Sequence, residues 1–176
     1  PADDDAHVAL DALLAGADAC VVARGWGHGD DRLAPHALGA RHPHLVVVAL
    51  TPLGLDGPCS SWRTTELVDQ ALAGVVHRSG VPELPPVAAP GSFCEDVGAV
   101  LAAVVALVGV HGREAGDGAG EVFDVSSVLA LAHCTDTAIP LWSLLGNDQV
   151  RNGAGLYPLF ACTDGLARIV LPMSPG

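Results

Sequence analysis

Two carboxylates, Glu95 and Asp96, stand side by side at the mouth of the apolar run "PGSFCEDVGAVLAAVVALVGVHG", residues 90–112. A carboxylate placed there can serve the helix it opens. Ser92-Phe93-Cys94-Glu95 reads S-x-x-E, the capping-box pattern, in which Ser92 bonds the amide three residues on and Glu95 reaches back to the amide of Ser92. Acidic side chains in a first turn also sit well against the positive end of the helix dipole. A carboxylate can alternatively attack an electrophile, provided that it is ionised and partly stripped of water. Capping occupies Glu95 and leaves Asp96, one residue past the box, with no required part. On spacing alone, two first-turn carboxylates with Asp96 facing water is the simpler account.

Other chemistry-bearing patterns fail on inspection. The glycines of "RGWGHG" (Gly25, Gly27, Gly29) follow a short apolar strand but are spaced G-x-G-x-G, which is not the dinucleotide fingerprint. The sequence contains no P-loop and no G-x-S-x-G elbow, although "GPCSSW" is superficially similar. His28, His36, His42 and His44 cluster without the i, i+4 face of a zinc helix, so they read as surface histidines and no metal site is expected. The five cysteines (Cys20, Cys59, Cys94, Cys134, Cys162) are scattered singly, the usage of a reducing cytosol in which most are small buried apolar residues.

The composition sets outer bounds. The 176 residues suffice for one domain with a real core, half of them are hydrophobic, and the net charge is -12. A chain this acidic, without any Lys/Arg-rich run, has no electrostatic footprint for nucleic acid and is repelled by an anionic membrane. A single anionic small molecule can still be held by locally placed Arg side chains and backbone amides. The opening "PADDDAHVALDALLAGAD" lacks the basic and apolar regions of a signal peptide, and the apolar-plus-Gly run from Val97 to Val110 is short for a bilayer span and reads as a buried core helix. A cytoplasmic, globular protein is the expectation.

The elements that must position these residues follow from periodicity. Helical spacing runs from His7 to Asp18, then "ACVVA" reads as a short strand and Arg32 to Arg41 as a weak helix. "HLVVVAL" (His44 to Leu50) is a β-branched run, the mark of a strand covered on both faces. "TTELVDQALAGVVH" reads as a helix capped by Thr64 or Thr65. A proline-rich connection precedes the apolar helix, and "GREAGDGAGE" is a turn leading to strand "VFDV". The helix "SSVLALAHCTDTAIPLWSLLG" should kink at Pro140, and "LARIVL" (Leu166 to Leu171) closes the chain as a strand. Strands alternating with helices predict an α/β fold with a largely parallel sheet flanked by helices. Beginning on a helix that feeds a strand and ending on "LPMSPG", the chain reads as a piece of a longer polypeptide.

Several segments, in order, resemble the family III CoA-transferases, which include formyl-CoA and carnitine CoA-transferases and the α-methylacyl-CoA racemases. "LLAGADACVV", "HPHLVVVALTPLGLDGP", "TELVDQALAGVVHRSGVPELPPV" and "GAGEVFDVSSVLALA" each resemble a family segment, and together they cover nearly the whole chain. The resemblance implies a Rossmann-like core over residues 1–152, short of the family's opening strand and helix, then a linker and strand over 153–176 leading toward a small domain. It also implies an interlocked homodimer.

What the resemblance implies for Asp96 is catalysis. Counted back from "GAGEVFDVSSVLALA", Asp96 falls on the family's catalytic aspartate, with "APGSFCED" as the approach. There it would attack an acyl-CoA thioester to give an acyl-aspartyl anhydride, then an aspartyl-CoA thioester that an acceptor carboxylate attacks. Coenzyme A is then substrate, with no covalently bound cofactor, and the partners are an acyl-CoA and a carboxylic acid. By the same resemblance Glu66 stands beside the active site, Gln70 matches a recurrent glutamine, Arg32 matches an arginine that meets CoA phosphates, and the turn at Gly54 and Gly57-Pro58 shapes a wall near the thioester. Against these, Glu66 also fits a first-turn carboxylate, Arg32 a surface arginine and Gly54 a plain turn. The loop Val22 to Gly27 departs from the family's "ENF.PG", leaving Arg24 or Trp26 as substitutes in the CoA site. Racemases of the family use a histidine where this chain has Thr65, and His77 lies more than two turns further on, which disfavours racemisation. The alternatives are a racemase-type acid/base enzyme and a non-catalytic, degenerate relative with a structural role.

Overall fold

The computed structural model describes residues 4–23, 31–80, 83–134, 142–144, 146 and 159–168. Helix α1 (Asp4–Leu14) feeds strand β1 (Ala19–Ala23), and a 3-10 turn (Asp31–Leu33) leads into α2 (Pro35–Arg41) and β2 (Val46–Thr51). Then come α3 (Glu66–Leu72), α4 (Val75–Arg78), the long α5 (Phe93–Ala115), β3 (Val122–Ser126) and α6 (Ser127–Cys134). A small antiparallel pair, β4 (Leu159–Ala161) with β5 (Leu166–Arg168), ends the described chain.

Strands β1, β2 and β3 form a parallel sheet in that order, Ala19 opposite Val46 and Val47 opposite Val122. The β-branched run of β2 explains its central place, because Val46, Val47, Val48 and Ala49 are all fully buried. Alternation then splits the core between the two faces of the sheet. Val47 turns toward α1 and α2, packing with Leu14, Leu38 and Leu45. Val46 and Val48 turn toward α5, packing with Ala102 and Val125. The result is a three-layer α/β sandwich of the Rossmann type.

Helix α5 runs opposite to the strands. Near its C-terminal end the Arg113 guanidinium donates to the carbonyls of Asp18 and His44, which precede β1 and β2, and pairs with the Asp18 carboxylate at 2.6 Å. Its first turns therefore lie at the carboxyl edge of the sheet. There a third cluster, Ala73, Cys94, Val128 and Leu131, joins α5 to α6 and the end of α3. Gly98 makes this junction possible. A Cβ added there would lie 2.9 Å from Ser127 Cβ and 3.0 Å from its Cα, closer than side chains pack.

Several local expectations change. Helix α5 is not enclosed: Cys94, Gly98, Ala102 and Gly109 are buried, while Val100, Val104, Leu107 and Val108 on the other side are exposed. It extends through Arg113 and Glu114, which sequence assigned to a turn, because the Arg113 contacts hold that last turn in place. At 23 residues it is long and apolar enough to cross a bilayer by length and composition, with 28% of its most apolar window buried here. The helix expected from Thr64 to His77 breaks at Gly74 (φ 82°) into α3 and α4. Strand β4 had no sequence signal. Pro140 and the expected domain boundary at residues 152 and 153 lie outside the described residues.

Candidate functional site

The carboxyl edge of a parallel sheet is where strand-to-helix loops and helix N-termini converge, and ligands of such folds bind there. In this chain the edge gathers the turn after β2, the start of α6 and the first turn of α5. Asp96 lies in that first turn, its amide already in the helical ladder to Ser92 O at 2.8 Å. Its side chain is exposed, on the same face as Val100, Val104 and Leu107. It has the positive helix end behind it. The apolar shield that a carboxylate nucleophile requires is not supplied by the described residues.

The capping box does not form. Ser92 is the N-cap residue, yet its side chain makes no cap hydrogen bond. The amide of Cys94 instead donates to Glu66 Oε1, 2.7 Å away on α3. Glu66 thus caps a helix that is not its own, satisfying one of the orphan amides of α5. The same oxygen accepts from Gln70 Nε2 at 2.7 Å, one helical turn along α3. Gln70, fully buried, also grips Ala89 twice: Nε2 donates to Ala89 O at 3.0 Å, and the Ala89 amide donates to Gln70 Oε1 at 2.8 Å. The approach to Asp96 is therefore tied to α3 at two points, Ala89 and Cys94.

Three more polar atoms are buried beside this network. Among the described residues Glu66 Oε2, Asp69 Oδ1 and Thr64 Oγ1 have no hydrogen-bond partner. Burial pushes the Asp69 carboxyl up and the neighbouring Glu66 charge adds to this, while the Thr64 hydroxyl pulls the other way without full hydrogen-bond geometry. Thr65 occupies the N-cap of α3 but makes no side-chain cap bond either. The Cys94 thiol is pushed up to about 12, first by burial and then by the charges of Asp69, Glu66 and Glu95. It is therefore a poor nucleophile at neutral pH.

The remaining sequence candidates fall in different places. Gly54 sits in the turn after β2 with φ 94°, its amide donating to Thr51 Oγ1 at 2.8 Å, and the next amide, of Leu55, donates to Asp124 Oδ2 at 2.8 Å. The left-handed conformation is reason enough for glycine here. Arg32 is exposed in the 3-10 turn after β1, and its carbonyl accepts from Arg41 Nη1 at 2.8 Å. Arg24 and Trp26 lie outside the described residues. Among the described residues no group of three or more His, Cys, Asp or Glu side chains is arranged to hold a metal ion. Structure thus joins Glu66 and Gln70 to the Asp96 turn. The sequence signal for that pairing was the i, i+4 spacing of Glu66 and Gln70; the long-range partners, Cys94 and Ala89, left none.

Comparison with known proteins gives one consistent result. The family description CoA-transferase family III matches residues 1–175. A probable CoA-transferase, Rv1866, of Mycobacterium tuberculosis is 31% identical over 146 residues, 78% of this chain and 18% of that protein. The succinyl-CoA:(R)-benzylsuccinate CoA-transferase subunit BbsE of Thauera aromatica is 29% identical over 166 residues, 92% of this chain and 40% of its own length. A succinyl-CoA–D-citramalate CoA-transferase of Chloroflexus aurantiacus is 29% identical over 128 residues. Among solved structures, a CAIB/BAIF family protein from Brucella suis superposes with a TM-score of 0.81 at 19% identity, over 93% of this chain and 45% of that one, which supports the fold. The chain spans less than half the length of these relatives.

Proposed function

Because the chain belongs to CoA-transferase family III, we propose that the protein is an acyl-CoA:carboxylate CoA-transferase whose nucleophile is Asp96. The observation that carries this reading is the position of Asp96. It lies in the first turn of α5 at the carboxyl edge of the sheet, and the chain leading into it is fastened at Ala89 and Cys94 through Gln70 and Glu66. A carboxylate in the first turn of a helix faces the positive end of the helix dipole, a setting suited to an anionic nucleophile.

In the first step an Asp96 oxygen attacks the thioester carbonyl, the C–S bond breaks and CoA leaves as thiolate, giving a mixed anhydride. The thiolate then attacks the aspartyl carbonyl of that anhydride, releasing the donor carboxylate and leaving an aspartyl-CoA thioester. The acceptor carboxylate attacks this thioester, forming a new anhydride and thiolate. Attack of the thiolate on the acceptor carbonyl yields acceptor-CoA and free Asp96. Each bond made matches one broken, and no net proton or electron is required. Glu66, capping α5, places a second carboxyl group near the turn. Arg32 and Gly54 belong to the CoA-binding part of this reading.

Asp96 is exposed in the described chain, so this reading assigns the water-excluding cover to polypeptide outside it or to a second copy in a dimer. Two of the relatives are named for succinyl-CoA, which makes a succinyl thioester the first donor to try. The test is peptide mass spectrometry on the full-length protein after incubation with a panel of acyl-CoAs and a hydroxylamine quench. A hydroxamate on Asp96, absent from Asp96→Ala, is the expected result. Undiminished transfer by Asp96→Ala would refute the assignment.

A further inference from the structure

The Asp96 turn is held by a residue that has no place in the chemical steps. Gln70 is completely buried and spends its side-chain carbonyl and both amide hydrogens on Ala89 and on Glu66. Its carbonyl and one amide hydrogen close a two-bond clamp on Ala89, and its other hydrogen goes to Glu66 Oε1. That oxygen in turn receives the Cys94 amide. From Ala89 to Cys94 the chain is thus gripped at both ends, with Asp96 two residues beyond the second grip. These bonds join part-buried backbone and side-chain atoms, where a polar group left without a partner is costly.

We propose that Gln70 is a positioning residue for the transfer reaction, fixing through Ala89 and Glu66 the direction in which the first turn of α5 presents Asp96. The proposal rests on the reading of Asp96 as nucleophile. Only an amide fits this role. A carboxylate at the same position would keep the bond from the Ala89 amide but would face two acceptors, Ala89 O and Glu66 Oε1, with no hydrogen to offer. The charged groups whose fields act at this junction include Glu66 and Asp69 on α3 and Glu95 on α5, all carboxylates. Gln70→Glu therefore carries a built-in control: protonation of the new side chain at low pH restores one donor.

The experiment uses the full-length protein. For Gln70→Glu at pH about 8, kcat and the single-turnover rate of hydroxamate formation on Asp96 should both fall at least about tenfold, with KM for the acyl-CoA within about twofold. Lowering the pH toward about 5.5 should recover kcat relative to the unsubstituted protein, because burial beside Glu66 raises the pKa of the new carboxyl. A purely structural role would lower thermal stability without this kcat-selective, pH-reversible loss, and that outcome overturns the proposal. Should Gln70→Glu not fold, Gln70→Met fills the space without hydrogen bonds. Unchanged kcat in a folded Gln70→Met would equally overturn it. Asp96→Ala is the separate control: if it turns over normally, the nucleophile assignment fails as well, whereas its inactivity alongside an active Gln70 variant removes only Gln70.

Discussion

Asp69 is buried on α3 with one carboxylate oxygen unpartnered, and its folded-state pKa is raised above the ordinary 3.8 by burial and by the Glu66 charge. A raised carboxyl pKa means that the folded state binds the proton more readily. The associated stability is complete below the unfolded value and is lost as pH rises through the folded one. Asp69→Asn, neutral at every pH, should therefore unfold at higher temperature than the unsubstituted chain near pH 7, and the gain should close as pH falls toward 3.8. Thermal unfolding of the two proteins across that range measures it; a gain independent of pH would contradict the charge argument. Asp11 works in the opposite sense, held low by the His42 hydrogen bond and then by Arg41, so its contribution fades in acid. At this scale the sequence was half legible. Asp96 and Glu66 could be marked by resemblance, but Ser92 and Glu95 matched a local capping pattern that a distant carboxylate, Glu66, displaced. Local spacing does not encode a cap supplied from 28 residues away.

Helix α5 is two helices in one: a small-residue face of Gly98, Ala102 and Gly109 that lets it lie close to the sheet and α6, and a face of exposed valine and leucine. The close approach is strictest at Gly98, against Ser127. Gly98→Ala would gain helix propensity, worth about 1 kcal/mol, but the added Cβ must displace Ser127 backbone and side chain, and overpacking of this kind costs about 1–3 kcal/mol. The expected result is net destabilisation in urea, with weaker docking of α5 on α6. Gly112, whose Cβ would meet nothing within 4 Å, is the matched control and should gain stability as Ala. Elements were the most legible scale. The β-branched run of β2, "ACVVA", "VFDV" and the α5 run all folded as their periodicity required. What periodicity could not give was the direction of each face: an all-apolar helix reads as enclosed on every side, and α5 is not.

Taken whole, the chain presents an apolar stripe of Val100, Val104, Leu107 and Val108 on the face of α5 that carries Asp96. Contiguous apolar surface of this kind favours association. Leu107 is 73% exposed, so Leu107→Lys should change the unfolding free energy of this chain by less than about 0.5 kcal/mol. It should also lower self-association in light scattering. A large loss of stability would mean that the stripe is covered within the chain itself. Fold class was readable at this scale because alternating strands and helices admit few architectures.

The central strand carries a consequence in time. Its partner β1 is reached across the short stretch from Ala23 to Val46, but β3 begins only at Val122, after the whole of α3, α4 and α5. During synthesis, one edge of β2 stays without its partner while those residues are made, for on the order of several seconds at ribosomal speed. Throughout that interval Val47, Val48 and Ala49 offer a bare row of amides and carbonyls to any other nascent strand. The order of assembly thus makes the most protected segment of the finished molecule its most vulnerable one at birth.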